Sequence, residues 1–385
     1  MIAPARSAFR HLLAGLCATA CLAGPSEDAL KVGEEALAKG DVASATTTWV
    51  NAYNERAVEK TATDETCAKL LWNAGTVFAQ TGNAAAALDC FEKLYPLRIE
   101  LSGPKHPETG KIASTLAAAI SNSGGDLDRA ERLAREAGAI LAEAGEAHGE
   151  NLFTATSNLG WILMGKKDRL GANEQFLKAL QLAERHSGPP ISGELVAGCY
   201  ESLAQIATFF GRNADRLRYL QRALEHKSKA LGKHHVKVFV SRLEIAAGLT
   251  GEKAVAAYEA ILSDLYEAPG SDTKPDLQQA WSAAEYRLAI LESQLGHQDR
   301  VVSLLESAIK HATKGFGELH PELLQLNLDL AKLYLTRKAY DKGVGCYRQV
   351  LAIRKKHLGE DDPSTKETQK MLDDLLVDLA KVKAR

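Results

Sequence analysis

A small residue returns along this chain at a nearly fixed interval. Gly33, Gly75, Ala117, Gly160, Ala204, Ala246, Ala289 and Ala331 are separated by steps of 42, 42, 43, 44, 42, 43 and 42 residues. The residue before each is apolar in every case: Val32, Ala74, Leu116, Leu159, Leu203, Ile245, Leu288 and Leu330. Self-similarity at such a period marks a stack of like units, each burying its apolar face against the next. The small side chains matter because two helix backbones approach closely only where no bulky group intervenes, while large neighbours fill the space around them.

Each unit reads as two amphipathic helices. Gly40 and Gly82 stand seven residues after Gly33 and Gly75, where a first helix should end. A second helix then opens, as in GDVASATTTWVNAY and GNAAAALDCFEKLY. It carries a small residue at Ala45, Ala87, Ala130, Ala172 and Gly343, and a large one four later at Trp49, Phe91, Phe176 and Tyr347. That spacing keeps both on one helix face. The loops between units share the period: SGPKHPET, AGEAHGEN, LGKHHVKV, FGELHPEL and LGEDDPST place Gly103, Gly145, Gly232, Gly317 and Gly359 alike. Glycine there supplies a helix C-terminus with positive φ, and the Pro or acid that follows starts the next helix. Abundant Ala and Leu, with only 11 prolines in 385 residues, favour helix over sheet.

Small at the eighth place, Ala at the twentieth, aromatic at the twenty-fourth and Ala at the twenty-seventh (Ala52, Ala179, Ala223, Ala308) resembles the tetratricopeptide repeat (TPR). The 42-residue step with a Gly-x-x-His-Pro loop resembles its kinesin-light-chain subtype. The resemblance covers residues 26–385. It implies an all-α, right-handed α-solenoid of about eight TPR helix hairpins over 24–365, with a C-terminal capping helix over 366–385. Some copies depart from the pattern. One residue is added near Gly124-Gly125, Arg216 replaces an expected Ala, and the sixth copy (LEIAAGLTGEKAVAAY) lacks about a turn at its hairpin. The connector EAPGSDTKPD is irregular. Asp373 occupies the next small place, which suits a last helix with no following partner.

A net charge of -2 gives no case for a nucleic-acid or anionic-membrane partner. At the N-terminus, Arg6, Arg10 and His11 precede the apolar run LLAGLCATACLAG, and no acid occurs in the first 26 residues. The run is too short to span a bilayer and suits a secretory signal over 1–23, with Ala18-Thr19-Ala20 as an A-x-A site before Cys21. The expectation is export to the periplasm or cell exterior, with no integral membrane span. Lipid attachment at Cys21 stays open, and an organellar presequence or a cytosolic N-terminus are the alternatives. Of six cysteines, Cys17 and Cys21 fall in this segment. Cys67 and Cys90 would be offset by about 7 Å along two antiparallel helices, too far for a disulfide across about 8–10 Å. Four buried or half-buried thiols are expected.

No catalytic constellation emerges. The chain has no His-Glu-x-x-His and no Gly-x-Ser-x-Gly. GPKHPETGKI lacks both the spacing and the Ser or Thr of a phosphate loop, with Ile112 in that place. His234-His235 invites a metal, but it lies in the repeat loop that elsewhere holds His106 or His320 alone, and no third ligand is near in sequence. No enzyme activity, metal or cofactor is expected.

A polar stripe is the stronger candidate. Lys31, Asn73, Thr115, Asn158, Ser202, Glu244, Arg287 and Asp329 each lie two residues before the small position. They are either the wet edge of the first helix or the lining of the groove formed by the stacked first helices. In tetratricopeptide proteins Asn at this place commonly grips the backbone of an extended peptide, and Asn73 and Asn158 match it, since an amide both donates and accepts. The resemblance also turns Trp72, Trp161 and Tyr286 toward the groove, with a place in the core, like that of Trp49, as the alternative for each. The expected site is therefore a protein- or peptide-binding groove of Trp72, Asn73, Asn158, Trp161, Ser202, Tyr286, Arg287 and Asp329. The rival roles are self-assembly within an envelope or extracellular complex, and a regulatory subunit for a separate enzyme.

Overall fold

The structure is a computed structural model, and it describes residues 25–58, 63–188 and 190–383. The segment expected as a secretory signal lies outside the described residues, as do Cys17 and Cys21. Helices follow one another in pairs: α1 (Pro25–Ala38) with α2 (Val42–Val58), α3 (Glu65–Thr81) with α4 (Ala84–Ser102), α5 (Pro107–Asn122) with α6 (Leu127–Glu143), and α7 (Gly149–Gly165) with α8 (Arg169–Arg185). The series continues with α9 (Gly193–Phe209) and α10 (Asn213–Leu231), α11 (Val236–Ala246) and α12 (Gly251–Glu267), α13 (Pro275–Gln294) and α14 (Gln298–Phe316), then α15 (Leu323–Thr336) and α16 (Tyr340–Leu358). A last helix, α17 (Pro363–Lys383), packs on α16. No strand occurs among the described residues.

The small residues sit one in each first helix, all eight buried. Where that residue is Gly, an aromatic ring from the second helix lies against it: Trp49 on Gly33, Phe91 on Gly75 and Phe176 on Gly160. These three rings are among the largest fully buried side chains. The loop between units is built as its sequence dictates. Gly103 has φ +89 and its N–H closes α4 on the Ile99 carbonyl. The Thr109 hydroxyl donates to the Gly103 carbonyl at 2.7 Å, and His106 Nδ1 accepts from the Glu108 N–H, capping α5 ahead of Pro107.

Packing divides the chain into two compact units that meet at His226 and Lys227, within α10. In the first, one continuous core runs from Trp49 through Phe91, Leu116 and Phe153 to Ile206. First helices also touch one another, α1 on α3 and α5 on α7. In the second, one cluster holds Phe239, Tyr258 and Leu288, and another runs from Leu305 through Tyr347 to Leu372 on α17. The shortened sixth copy appears as an α11 of 11 residues, against 14 in α1 and α15. The terminal helix starts three residues before the expected 366, because Asp362 accepts from the Ser364 N–H and Pro363 opens the turn. Cys67, Cys90, Cys199 and Cys346 are buried and unpaired.

Candidate functional site

The polar stripe does not behave as one surface. Asn73, Thr115, Asn158 and Ser202 are buried, between 5% and 9% exposed, so a wet helix edge does not describe them. Lys31, Glu244 and Arg287 are exposed, and Asp329 is half-buried. Two of the buried members, Asn158 and Ser202, make hydrogen bonds from one first helix to the next. Asn158 Nδ2 donates to Ser114 Oγ at 3.0 Å, from α7 to α5. Trp161 Nε1 donates to Ser202 Oγ at 2.9 Å, and that hydroxyl donates on to the Gly198 carbonyl. Thr115 donates to the Lys111 carbonyl within its own helix.

Asn73 differs. It is 9% exposed, yet its amide makes no hydrogen bond among the described residues. Beside it Trp72 is half-buried, edge-on to Phe91 at 6.0 Å, with the Lys111 ammonium 4.7 Å from its ring centroid. A hollow of about 400 Å³ opens at Trp72, lined by Glu65, Lys69, Trp72, Arg98, Glu108 and Lys111, and Asn73 is not part of its lining. Arg98 holds Glu65 through two contacts of 2.6 and 3.0 Å, which fixes one wall.

The second unit has a separate groove. Tyr286 on α13 donates its hydroxyl to Asp329 on α15 at 2.9 Å, and Gln325 donates to the other Asp329 oxygen at 2.8 Å. Burial, with the Asp329 hydrogen bond and charge, pushes the Tyr286 phenol up to about 12, so it stays a donor at neutral pH. The hollow beneath, about 340 Å³, has a floor of Ala289, Ile290, Val301, Leu305 and Leu333 with Lys332 at the rim. An apolar floor with a few convergent polar groups is the usual make-up of a ligand groove. Tyr286 and Asp329 therefore come together, whereas Arg287 points to solvent on the same helix.

Sequence reasoning missed a buried polar seam between α13 and α14. Glu285 is 6% exposed, accepts from Ser307 Oγ at 2.6 Å, and leaves its second oxygen without a partner. Burial pushes its carboxyl up to about 7. His311 stacks on Trp281 with centroids 4.4 Å apart and donates from Nδ1 to Gln278, while its burial depresses the imidazole. Glu292, 1% exposed, is held by Arg300 and His297. Charged residues on an α-helix read as a solvated face, and only the phase of α13 against α14 puts these inside. The buried thiols offer no nucleophile either. Burial pushes Cys67 and Cys346 up to about 11 and Cys90 to about 12, and Cys199 higher still, so all four are protonated at neutral pH. No helix among the described residues is long and apolar enough to cross a membrane.

Family models described as tetratricopeptide repeat match residues 66–143, which cover α3 to α6, and residues 328–364, which run from within α15 through α16 to the start of α17. No curated protein matches the chain. Among solved structures, the apo form of RapI is 12% identical with a TM-score of 0.49, covering 75% of this chain and 98% of its own. The C-terminal part of a TPR repeat-containing protein from Cytophaga hutchinsonii is 16% identical at 0.49, over 77% of this chain and 98% of its own. A Podosopora anserina protein, a kinesin light chain with nearly identical TPR-like repeats by its description, is 14% identical at 0.43, over 55% and 99%. The matched segments coincide with helix pairs that recur at a 42-residue step, and over those segments this chain carries tetratricopeptide repeats.

Proposed function

We propose that the chain is a non-catalytic scaffold that takes an extended segment of a protein partner along its first helices. The observation that carries this reading is Asn73: an amide nine-tenths buried beside a half-buried tryptophan, with neither its donors nor its acceptor used among the described residues. A peptide backbone presents one donor and one acceptor per residue, and an unspent amide meets both. Trp72 adds a flat apolar contact, and the Tyr286–Asp329 groove offers a second place of the same kind in the other unit. Asn158, which the sequence groups with Asn73, supports the reading less, because its NH2 is tied to Ser114.

The test begins with the partner recovered on the intact chain and identified by mass spectrometry. That partner is then titrated against the wild type and Asn73→Ala. The substitution removes no internal hydrogen bond and installs a better helix former, so stability should hold. Affinity should fall at least tenfold, about 1.4 kcal/mol, because bound peptide groups lose their partner. Equal binding by a variant that melts as the wild type refutes the groove. A particle of two or more chains with no second protein, measured by light scattering, favours self-assembly instead.

A further inference from the structure

The loop entering α11 presents a histidine whose environment the repeat does not explain. His235 has the ordinary role: its Nδ1 accepts from the Lys237 N–H and caps α11, as His106 and His320 do for Glu108 and Glu322. His234 has no counterpart in those loops. Its Nε2 is buried and has no hydrogen-bond partner. A buried polar atom without a partner is destabilising and calls for a reason.

Two carboxylates from the last turn of α12 supply one. One donor atom each from His234, Asp264 and Glu267 lies within 4.8 Å of the other two. Asp264 and Glu267 are three residues apart on a helix, so they share a face and converge on the loop. Arg242 holds one Asp264 oxygen at 2.6 Å and fixes the direction of that carboxylate, leaving Oδ1 for another partner. Lys233 stands 4.0 Å from Oδ1 and 3.8 Å from Glu267, beyond hydrogen-bond range, and its side chain is 66% exposed. It neutralises the two acids loosely and is free to swing away.

From this geometry we propose that His234, Asp264 and Glu267 bind a divalent transition cation of the zinc type. One imidazole and two carboxylates are a donor set that zinc accepts with a coordination place left for water, whereas calcium and magnesium prefer oxygen throughout. The cation takes the lone pair of the unpartnered imidazole nitrogen and replaces the ammonium of Lys233 between the carboxylates. Its effect is structural. It ties the loop before α11 to the end of α12, across the hairpin whose first helix, at 11 residues, is the shortest α-helix among the described residues. A hairpin with fewer turns has less surface of its own to bury, and a cross-link compensates for that.

The experiment uses the full chain and zinc itself, titrated in competition with a chromogenic chelator. The expected result is one zinc per chain, at least tenfold weaker in His234→Ala and weaker in Glu267→Gln. Both replacements leave the His235 cap and the apolar core intact, which circular dichroism checks. Lys233→Met should move the other way and tighten zinc severalfold, since it removes the competing charge. Zinc should also slow hydrogen exchange in α11 and α12 of the wild type but not of His234→Ala. Absence of saturable zinc binding, binding that His234→Ala leaves unchanged, or tighter binding of calcium than of zinc each overturns the site.

Discussion

Replacing Gly160 by Ala adds one carbon at the point where α7 meets α8. A Cβ built there lies 2.7, 2.9 and 2.9 Å from three ring atoms of Phe176, closer than carbon atoms pack. The ring has little freedom to retreat, being 0% exposed and braced edge-on by Trp161 at 5.8 Å. Overpacking of this kind costs about 1–3 kcal/mol, while Ala in place of Gly returns about 1 kcal/mol of helix propensity. The net expectation is a loss of about 1 kcal/mol, small but opposite in sign to the propensity effect alone. Phe176→Leu alone should cost roughly 1–2 kcal/mol through lost burial and a partly collapsed cavity. Together the two should cost less than their sum by about 1 kcal/mol or more, because the added methyl enters the space the ring vacated. The protein already uses that pairing elsewhere, with Ala289 and Leu305 buried in one cluster. The assay is a double-mutant cycle by urea unfolding, with hydrogen exchange reporting on α7 and α8. A Gly160→Ala variant more stable than the wild type, or strict additivity in the double, refutes the claim that ring and glycine are fitted to one another.

Two further outcomes follow from buried polar groups. Folded Glu285 keeps its proton to about pH 7, while an unfolded glutamate releases it near pH 4.3. The folded chain thus binds more protons between those values, and stability falls as pH rises through that window, by roughly 4 kcal/mol at most. Glu285→Gln should remove that fall and be the more stable protein at pH 8 by urea unfolding; wild type and variant running parallel from pH 4.5 to 8 contradicts the assignment. Asn158→Ala should destabilise by about 1 kcal/mol by losing the bond to Ser114, whereas Asn73→Ala should not, and equal melting of the two variants contradicts the distinction.

The fold was legible because its information is local and repeated. A 42-residue step of small residues, glycines that end helices and histidines or prolines that start them each act within one hairpin. The weaknesses of single copies were legible for the same reason, as with the short α11. The site was only partly legible. The place of the stripe could be read, but its burial depends on how one first helix rides on the next, which no single repeat encodes. Asn73 and Asn158 are identical in sequence terms, and only the arrival of Ser114 beside one of them separates a spent amide from an open one. Glu285 was hidden similarly: an acid on a helix looks solvated until the rotation of its neighbour is known.

The side chains that bridge consecutive first helices have a bearing on how such an array changes over generations. Asn158 reaches Ser114, Trp161 reaches Ser202, and Tyr286 reaches Asp329, and no two of these couplings use the same chemistry. At these three junctions each repeat is therefore keyed to the particular neighbour it has. Duplicating or excising one 42-residue segment preserves every hairpin but creates a junction whose two halves were never matched, leaving a donor facing the wrong group in a buried seam. What can be copied intact is a seam with both of its flanking helices, so a viable gain or loss of length should arrive in blocks that carry whole junctions, and grafts between relatives should succeed when cut through the middle of a hairpin.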